Sequence, residues 1–188
     1  MIRSFVALPV PEPVRAQAAT MMNQIRRLGV PVRCPLAASL HLSLTFLGDI
    51  EESDIAGIQS VLETAAHAIS PFKLETTGPG AFPASGSPRV VWLGIAPSPE
   101  LMELQKRVCG GLSSLGFQQE QRPFLPHLTL ARVKGRKGLS RLRQWIEKDS
   151  DVAAVAFPVE CLALYQSVLQ PTGARYRRLA TVAFGLPS

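Results

Sequence analysis

At 188 residues, with 46% apolar and 18% charged side chains, the chain has the composition of a folded protein and not of a disordered one, and it is long enough for one domain or two small ones. A net charge of +6 and a pI near 9.7 favour an anionic partner such as a nucleic acid, a nucleotide or a phosphorylated metabolite. Cys34, Cys109 and Cys161 are odd in number and make no Cys-x-x-Cys pair, no apolar run approaches the roughly 18 residues of a membrane span, and the N-terminus lacks a signal-peptide core, so the expectation is a cytoplasmic protein without disulfides or a membrane partner.

Residues 3–8 alternate and meet Pro9, Pro11 and Pro13, which predicts a short strand. Val14, Ala18, Met21, Met22, Ile25 and Leu28 then recur at helical spacing, with prolines at the start and Gly29 as a stop. A strand is expected over 40–47, ended by Gly48-Asp49, and after it a helix from Ile55 to Ile69 closed by Pro71. Residues 72–77 read as a strand, and 78–88, rich in Gly, Pro, Ser and Ala, as a loop and the junction between two halves. Beyond it come a strand over 89–95, a helix over 99–115 weakened by Gly110-Gly111, a strand over 127–132 and a short helix over 139–146. One long or bulged strand over 155–169, a turn at Pro171-Thr172-Gly173 and a strand over 175–184 complete the chain as a hairpin.

Two strands share a motif, His41-Leu42-Ser43-Leu44 and His127-Leu128-Thr129-Leu130, spaced 86 residues apart in a chain with only three histidines. Sliding the sequence by that offset also lays Arg3 on Arg89 and helix on helix, which points to an internal duplication of about residues 1–80 and 86–188 within one bilobed domain. A pseudo-two-fold would bring the motif strands face to face across a cleft. Side chains two apart on a strand share a face, so each motif offers an imidazole beside a hydroxyl while its leucines enter a core.

Two histidines flanking a reacting atom can act as general base and general acid in one turnover, and phosphoryl displacement needs proton removal and proton delivery on opposite sides of phosphorus. Ser43 and Thr129 would donate hydrogen bonds to the non-bridging oxygens as their charge grows. A single histidine in an apolar strand is usually a packed structural residue, but the repetition reverses that weighting. A zinc site would need a third ligand, and only Asp49 lies near in sequence, so no metal is expected. His67 lacks the motif and reads as a surface residue, and there is no Gly-x-Ser-x-Gly elbow for a serine hydrolase. Arg132, Lys134, Arg136, Lys137, Arg141 and Arg143, and later Arg175, Arg177 and Arg178, are either a solvated face or a means of attracting a polyanion.

The two motifs, Leu47-Gly48, the run Phe124-x-Pro126-His127-Leu128-Thr129-Leu130-Ala131-Arg132, the opening Arg3-x-Phe5-Val6-Ala7-Leu8, and Leu164-Tyr165-x-Ser167 with Gly173-x-x-Tyr176 resemble the RNA 2',3'-cyclic phosphodiesterases, also called 2'-5' RNA ligase-like proteins, of the two-histidine phosphoesterase superfamily. The resemblance implies an α+β fold, bilobed, with two antiparallel sheets facing a central cleft and helices outside. It implies metal-independent, cofactor-free hydrolysis of RNA or nucleotide 2',3'-cyclic phosphate ends to 2'-phosphates. His41 becomes the proton donor and His127 the proton acceptor; Ser43, Thr129 and Arg132 become phosphate contacts, and Phe46 a nucleotide contact that stacks on the base. Which histidine is the acid stays open on the residues alone. The alternatives are 2'-5' RNA ligation or action on another cyclic phosphate or 2'-5' linkage, and a non-catalytic RNA-end or nucleotide-binding module; a monomer is the default. Arg132 and Phe46 lie five residues after their histidines, so a straight strand would turn them to the wrong face unless it ends or bulges first.

Overall fold

The structure is a computed structural model that describes residues 1–118, 120–148, 152–170 and 173–185. Among the described residues nine strands and four α-helices run in the order β1 (Ile2–Pro9), α1 (Glu12–Arg27), β2 (Val32–Arg33), β3 (His41–Ile50), α2 (Asp54–His67), β4 (Phe72–Phe82), β5 (Val90–Ile95), α3 (Pro99–Ser114), β6 (His127–Val133), α4 (Leu139–Lys148), β7 (Ala156–Val159), β8 (Cys161–Gln170) and β9 (Gly173–Ala183). Pairing is antiparallel throughout, in a four-stranded sheet ordered β3-β1-β8-β9 and a five-stranded sheet ordered β2-β6-β5-β4-β7. The fold is therefore α+β, with two antiparallel sheets that approach each other along the motif strands β3 and β6.

Each helix buries one stripe against the back of a sheet. Val14, Ala18, Met21, Met22 and Ile25 of α1 are buried at helical spacing, and α1 packs beside β6. The helix begins after Pro11, with Pro13 in its first turn, and stops where Gly29 adopts φ +68°. Helices α2 and α3 pack together, α2 behind β8 and β9 and α3 behind β3, while α4 lies behind β4. Ser98 caps α3 by accepting a hydrogen bond from the Leu101 N–H at 3.2 Å. The buried apolar residues of both sheets and all four helices form one connected cluster. Among the described residues no helix is long and apolar enough to cross a membrane.

Three local expectations are corrected, and Gly110-Gly111 finds its place inside a continuous α3. Strand β3 does not end at Gly48: Leu47 is the unmatched residue of an irregularity, and the ladder resumes as Ser4 opposite Gly48, which takes φ +74°, then Arg3 opposite Asp49 and Ile2 opposite Ile50. Strand β4 extends through Gly78-Pro79-Gly80 to Phe82, because Trp92 of β5 lies over Gly80, a place only a residue without a side chain can fill. Gly110-Gly111 does not interrupt α3; Gly111 is where α2 comes closest, and a Cβ there would stand 2.5 Å from Cγ1 of Val61. The expected long strand over 155–169 is two strands in different sheets, β7 beside β4 and β8 beside β1, with Glu160 at the crossing.

That crossing belongs to a wider exchange. The pairs β1–β3 and β5–β6, one from each half of the chain, form the heart of each sheet. Strands β2 and β4 of the first half join the second pair, and β8 and β9 of the second half join the first. The two-residue β2 has no counterpart in the sequence expectations, being too short to carry a pattern. Pro171 and Thr172 of the expected turn lie outside the described residues.

Candidate active site

Strands β3 and β6 break their registers at the same place in the motif. Val6 faces Thr45 and Ala7 faces Ser43, so Leu44 is an extra residue in β3; Val91 faces Ala131 and Trp92 faces Thr129, so Leu130 is the extra residue in β6. The 86-residue offset superposes the two bulges. Each inserts a second consecutive buried residue, Leu44-Thr45 and Leu130-Ala131, and so inverts the alternation beyond it. His41, Ser43 and Phe46 consequently share one face of the first sheet, and His127, Thr129 and Arg132 share one face of the second. Phe46 is 66% exposed on that face.

The histidines are held alike. Nδ1 of His41 lies 2.8 Å from the Ser39 carbonyl oxygen, and Nδ1 of His127 lies 2.6 Å from that of Leu125, each two residues upstream. A carbonyl only accepts, so Nδ1 carries the proton in both rings and Nε2 is left as the nitrogen that exchanges protons. Ser39 is set by a 3-10 turn over Ala37–Ser39, in which its backbone N–H and hydroxyl both donate to the Leu36 carbonyl.

Aromatic rings brace each imidazole. Phe5, only 2% exposed, has its ring centroid 4.6 Å from His41, and Tyr176 meets His41 edge-on at 4.9 Å. Tyr165 stacks on Phe5 at 5.3 Å and lies 6.0 Å from His41. On the other side, Phe82 meets His127 edge-on at 5.0 Å, and Trp92 lies 6.1 Å from it. Sequence reasoning gave Phe5, Tyr165 and Tyr176 no role beyond marking a resemblance and missed Phe82 and Trp92, whose approach depends on the β4–β5 and β5–β6 pairings. The available signal was Trp92 on an alternating strand facing the motif strand.

Burial lowers the pKa of both histidines below the ordinary value, outweighing the carbonyl that favours each protonated ring. The remaining influences show what lies near: the charge of His127 lowers His41 further, and the charge of Arg132 lowers His127. The two imidazoles thus feel each other across the cleft, with a guanidinium beside the second. Ser43 and Thr129 are half-buried on the same faces. Arg132 also stands opposite Arg33 of β2 in the strand register. His67 is exposed at the end of α2, away from both motifs. Among the described residues no group of three His, Cys, Asp or Glu side chains is placed to hold a metal ion. Two imidazoles, two hydroxyls and a cation thus lie along the motif strands, an arrangement able to serve an anion that must gain a proton on one side and lose one on the other.

The chain is similar to known proteins over nearly its whole length. The sequence profile of the 2'-5' RNA ligase superfamily matches residues 11–170. A Methanocaldococcus jannaschii protein named RNA 2',3'-cyclic phosphodiesterase is 33% identical over 175 residues, covering 93% of this chain and 96% of the relative. An Aeropyrum pernix protein of the same name is 34% identical over 165 residues, covering 87% and 93%. Among solved structures, a Thermus thermophilus protein superposes with TM-score 0.83 at 27% identity over the whole of both chains. The Escherichia coli LigT protein complexed with 3'-AMP superposes with TM-score 0.76 at 25% identity, covering 97% of this chain and 98% of the other.

Proposed function

We propose that this chain, a member of the 2'-5' RNA ligase superfamily and a cyclic phosphodiesterase, opens RNA or nucleotide 2',3'-cyclic phosphates to 2'-phosphates through His41 and His127 without a metal ion. The observation that carries the mechanism is the matched pair of imidazoles, each with Nδ1 fixed on a carbonyl two residues back and Nε2 left free.

Neutral His127 removes a proton from water through Nε2 as the water oxygen attacks phosphorus. The bond from phosphorus to the 3'-oxygen breaks, and protonated His41 delivers its proton to that oxygen, leaving a 2'-phosphate and a 3'-hydroxyl. The next turnover begins when the proton on His127 returns to solvent and His41 is reprotonated. Ser43 and Thr129 donate to the non-bridging oxygens and Arg132 offsets their charge. Phe46, exposed on the same face, gives the base a stacking surface. If an RNA 5'-hydroxyl replaces water, the same transfers leave a 2'-5' linkage, the chemistry in the superfamily's name. Cys34, Cys109 and Cys161 form no disulfide among the described residues, which fits a cytoplasmic protein.

The test is to incubate a nucleoside 2',3'-cyclic phosphate with the protein and EDTA and identify the product. Full activity with a 2'-phosphate is expected. A 3'-phosphate would overturn the direction of opening, inhibition by EDTA the absence of metal, and no turnover of nucleotide or oligonucleotide the reading as an enzyme rather than a binding module.

A further inference from the structure

One register row crosses the four-stranded sheet: Phe46 of β3 faces Phe5 of β1, Phe5 faces Tyr165 of β8, and Tyr165 faces Arg178 of β9. Residues directly opposite one another share a face, so all four point into the cleft. Neighbours touch along the row, with ring centroids 5.8 Å apart for Phe46–Phe5 and 5.3 Å for Phe5–Tyr165, and the Arg178 guanidinium 5.7 Å from the Tyr165 centroid. At the near end of the row Phe46 is the base surface already assigned to the cyclic end, and buried Phe5 braces His41. The far half lies two strand spacings away, about 10 Å from Phe46, and the mechanism does not use it.

We propose that Tyr165 and Arg178 form a second base subsite, which takes the nucleotide on the 5' side of the cyclic phosphate, so that the preferred substrate is an RNA end and not a free nucleotide. The inference rests on the cyclic phosphodiesterase reading of the His41–His127 cleft. Three observations support it. An antiparallel sheet with aromatic side chains on its open face stacks successive splayed bases of a single strand, and a guanidinium over one ring can close on a base's second face. Residues 161–183, which span both strands, carry Arg175, Arg177 and Arg178 and no carboxylate. At the end of the sheet next to the row opens a groove of about 530 Å³ where Arg3 stands opposite Asp49 and Ser167 adds a hydroxyl, giving the sugar-phosphate chain a polar path.

The experiment compares kcat/KM for a nucleoside 2',3'-cyclic phosphate with that for a dinucleotide carrying the same end, in the wild type, Arg178→Gln and Arg177→Gln. Arg177 faces Gln166 and so stands on the opposite side of the same strand, a control for charge alone. The wild type is expected to favour the dinucleotide by about 5- to 150-fold, the value of one stacked base. Arg178→Gln should lower that ratio several-fold and Arg177→Gln should keep it. Equal use of both substrates by the wild type, or an equal fall in both variants, overturns the second subsite while leaving the enzyme reading intact. If neither substrate turns over, the enzyme reading fails, and the affinity ratio for a 2'-phosphate-ended dinucleotide and mononucleotide decides the subsite, equal affinities overturning it.

Discussion

Replacing Gly80 by alanine tests how His127 is held. The new Cβ would stand 2.7 Å from Cζ3 of Trp92 and closer still to Cη2 and Cζ2, inside ordinary contact distance along one whole edge of the indole. Carbon atoms need about 3.5 Å, so the ring must withdraw by more than about 1 Å. It cannot do so independently, because Trp92 touches Phe82 at 5.4 Å and both rings brace the imidazole of His127. Overpacking of this kind costs about 1–3 kcal/mol of stability, or about 2–4 °C in Tm for each kcal/mol in a chain of this size. A displacement of about 1 Å at a proton-transfer group costs about 10²-fold in rate. The assay is kcat/KM on a cyclic nucleotide beside a thermal melt. A folded variant with a lowered Tm that still turns over within twofold of wild type would refute the claim that Trp92 positions His127.

Arg132→Gln removes the charge that lowers His127. Its pKa then rises, and because His127 must be neutral to act as base, the acidic limb of the kcat/KM profile moves to higher pH; an unmoved limb with only a changed KM would restrict Arg132 to substrate binding. Phe46→Ala should raise KM for cyclic nucleotides and leave Tm within about 1 °C, since an exposed ring adds little to stability; a fall of several degrees would mean that Phe46 serves packing. In α3, Gly110→Ala has open space and should stabilise by about 0.5–1 kcal/mol, whereas Gly111→Ala meets Val61 and should destabilise, a contrast that denaturant melts read directly.

The histidine pair was legible because its chemistry is local: four residues on one strand, repeated, state both the face and the partner. The bulges were not. Leu44-Thr45 and Leu130-Ala131 read as ordinary strand residues, and only pairing with β1 and β5 leaves one residue of each unmatched. For the same reason the face of Phe46 and Arg132 waited for the register. Sheet membership was hidden as well, since nothing near 156–159 records that it joins β4 while 161–170 joins β1. Gly78-Pro79-Gly80 has loop composition, yet its glycine is demanded by a tryptophan on the neighbouring strand.

The pH–rate profiles of His41→Ala and His127→Ala beside the wild type test the central claim most directly. Because both pKa values are lowered, the wild-type kcat/KM should form a bell displaced toward acid, with its alkaline limb set by His41, which must be protonated, and its acidic limb by His127, which must be neutral. Each variant should lose about 10²- to 10⁴-fold in rate, His41→Ala together with the alkaline limb and His127→Ala together with the acidic one. Folded variants that both keep near wild-type rates and the full bell would contradict the two-histidine account.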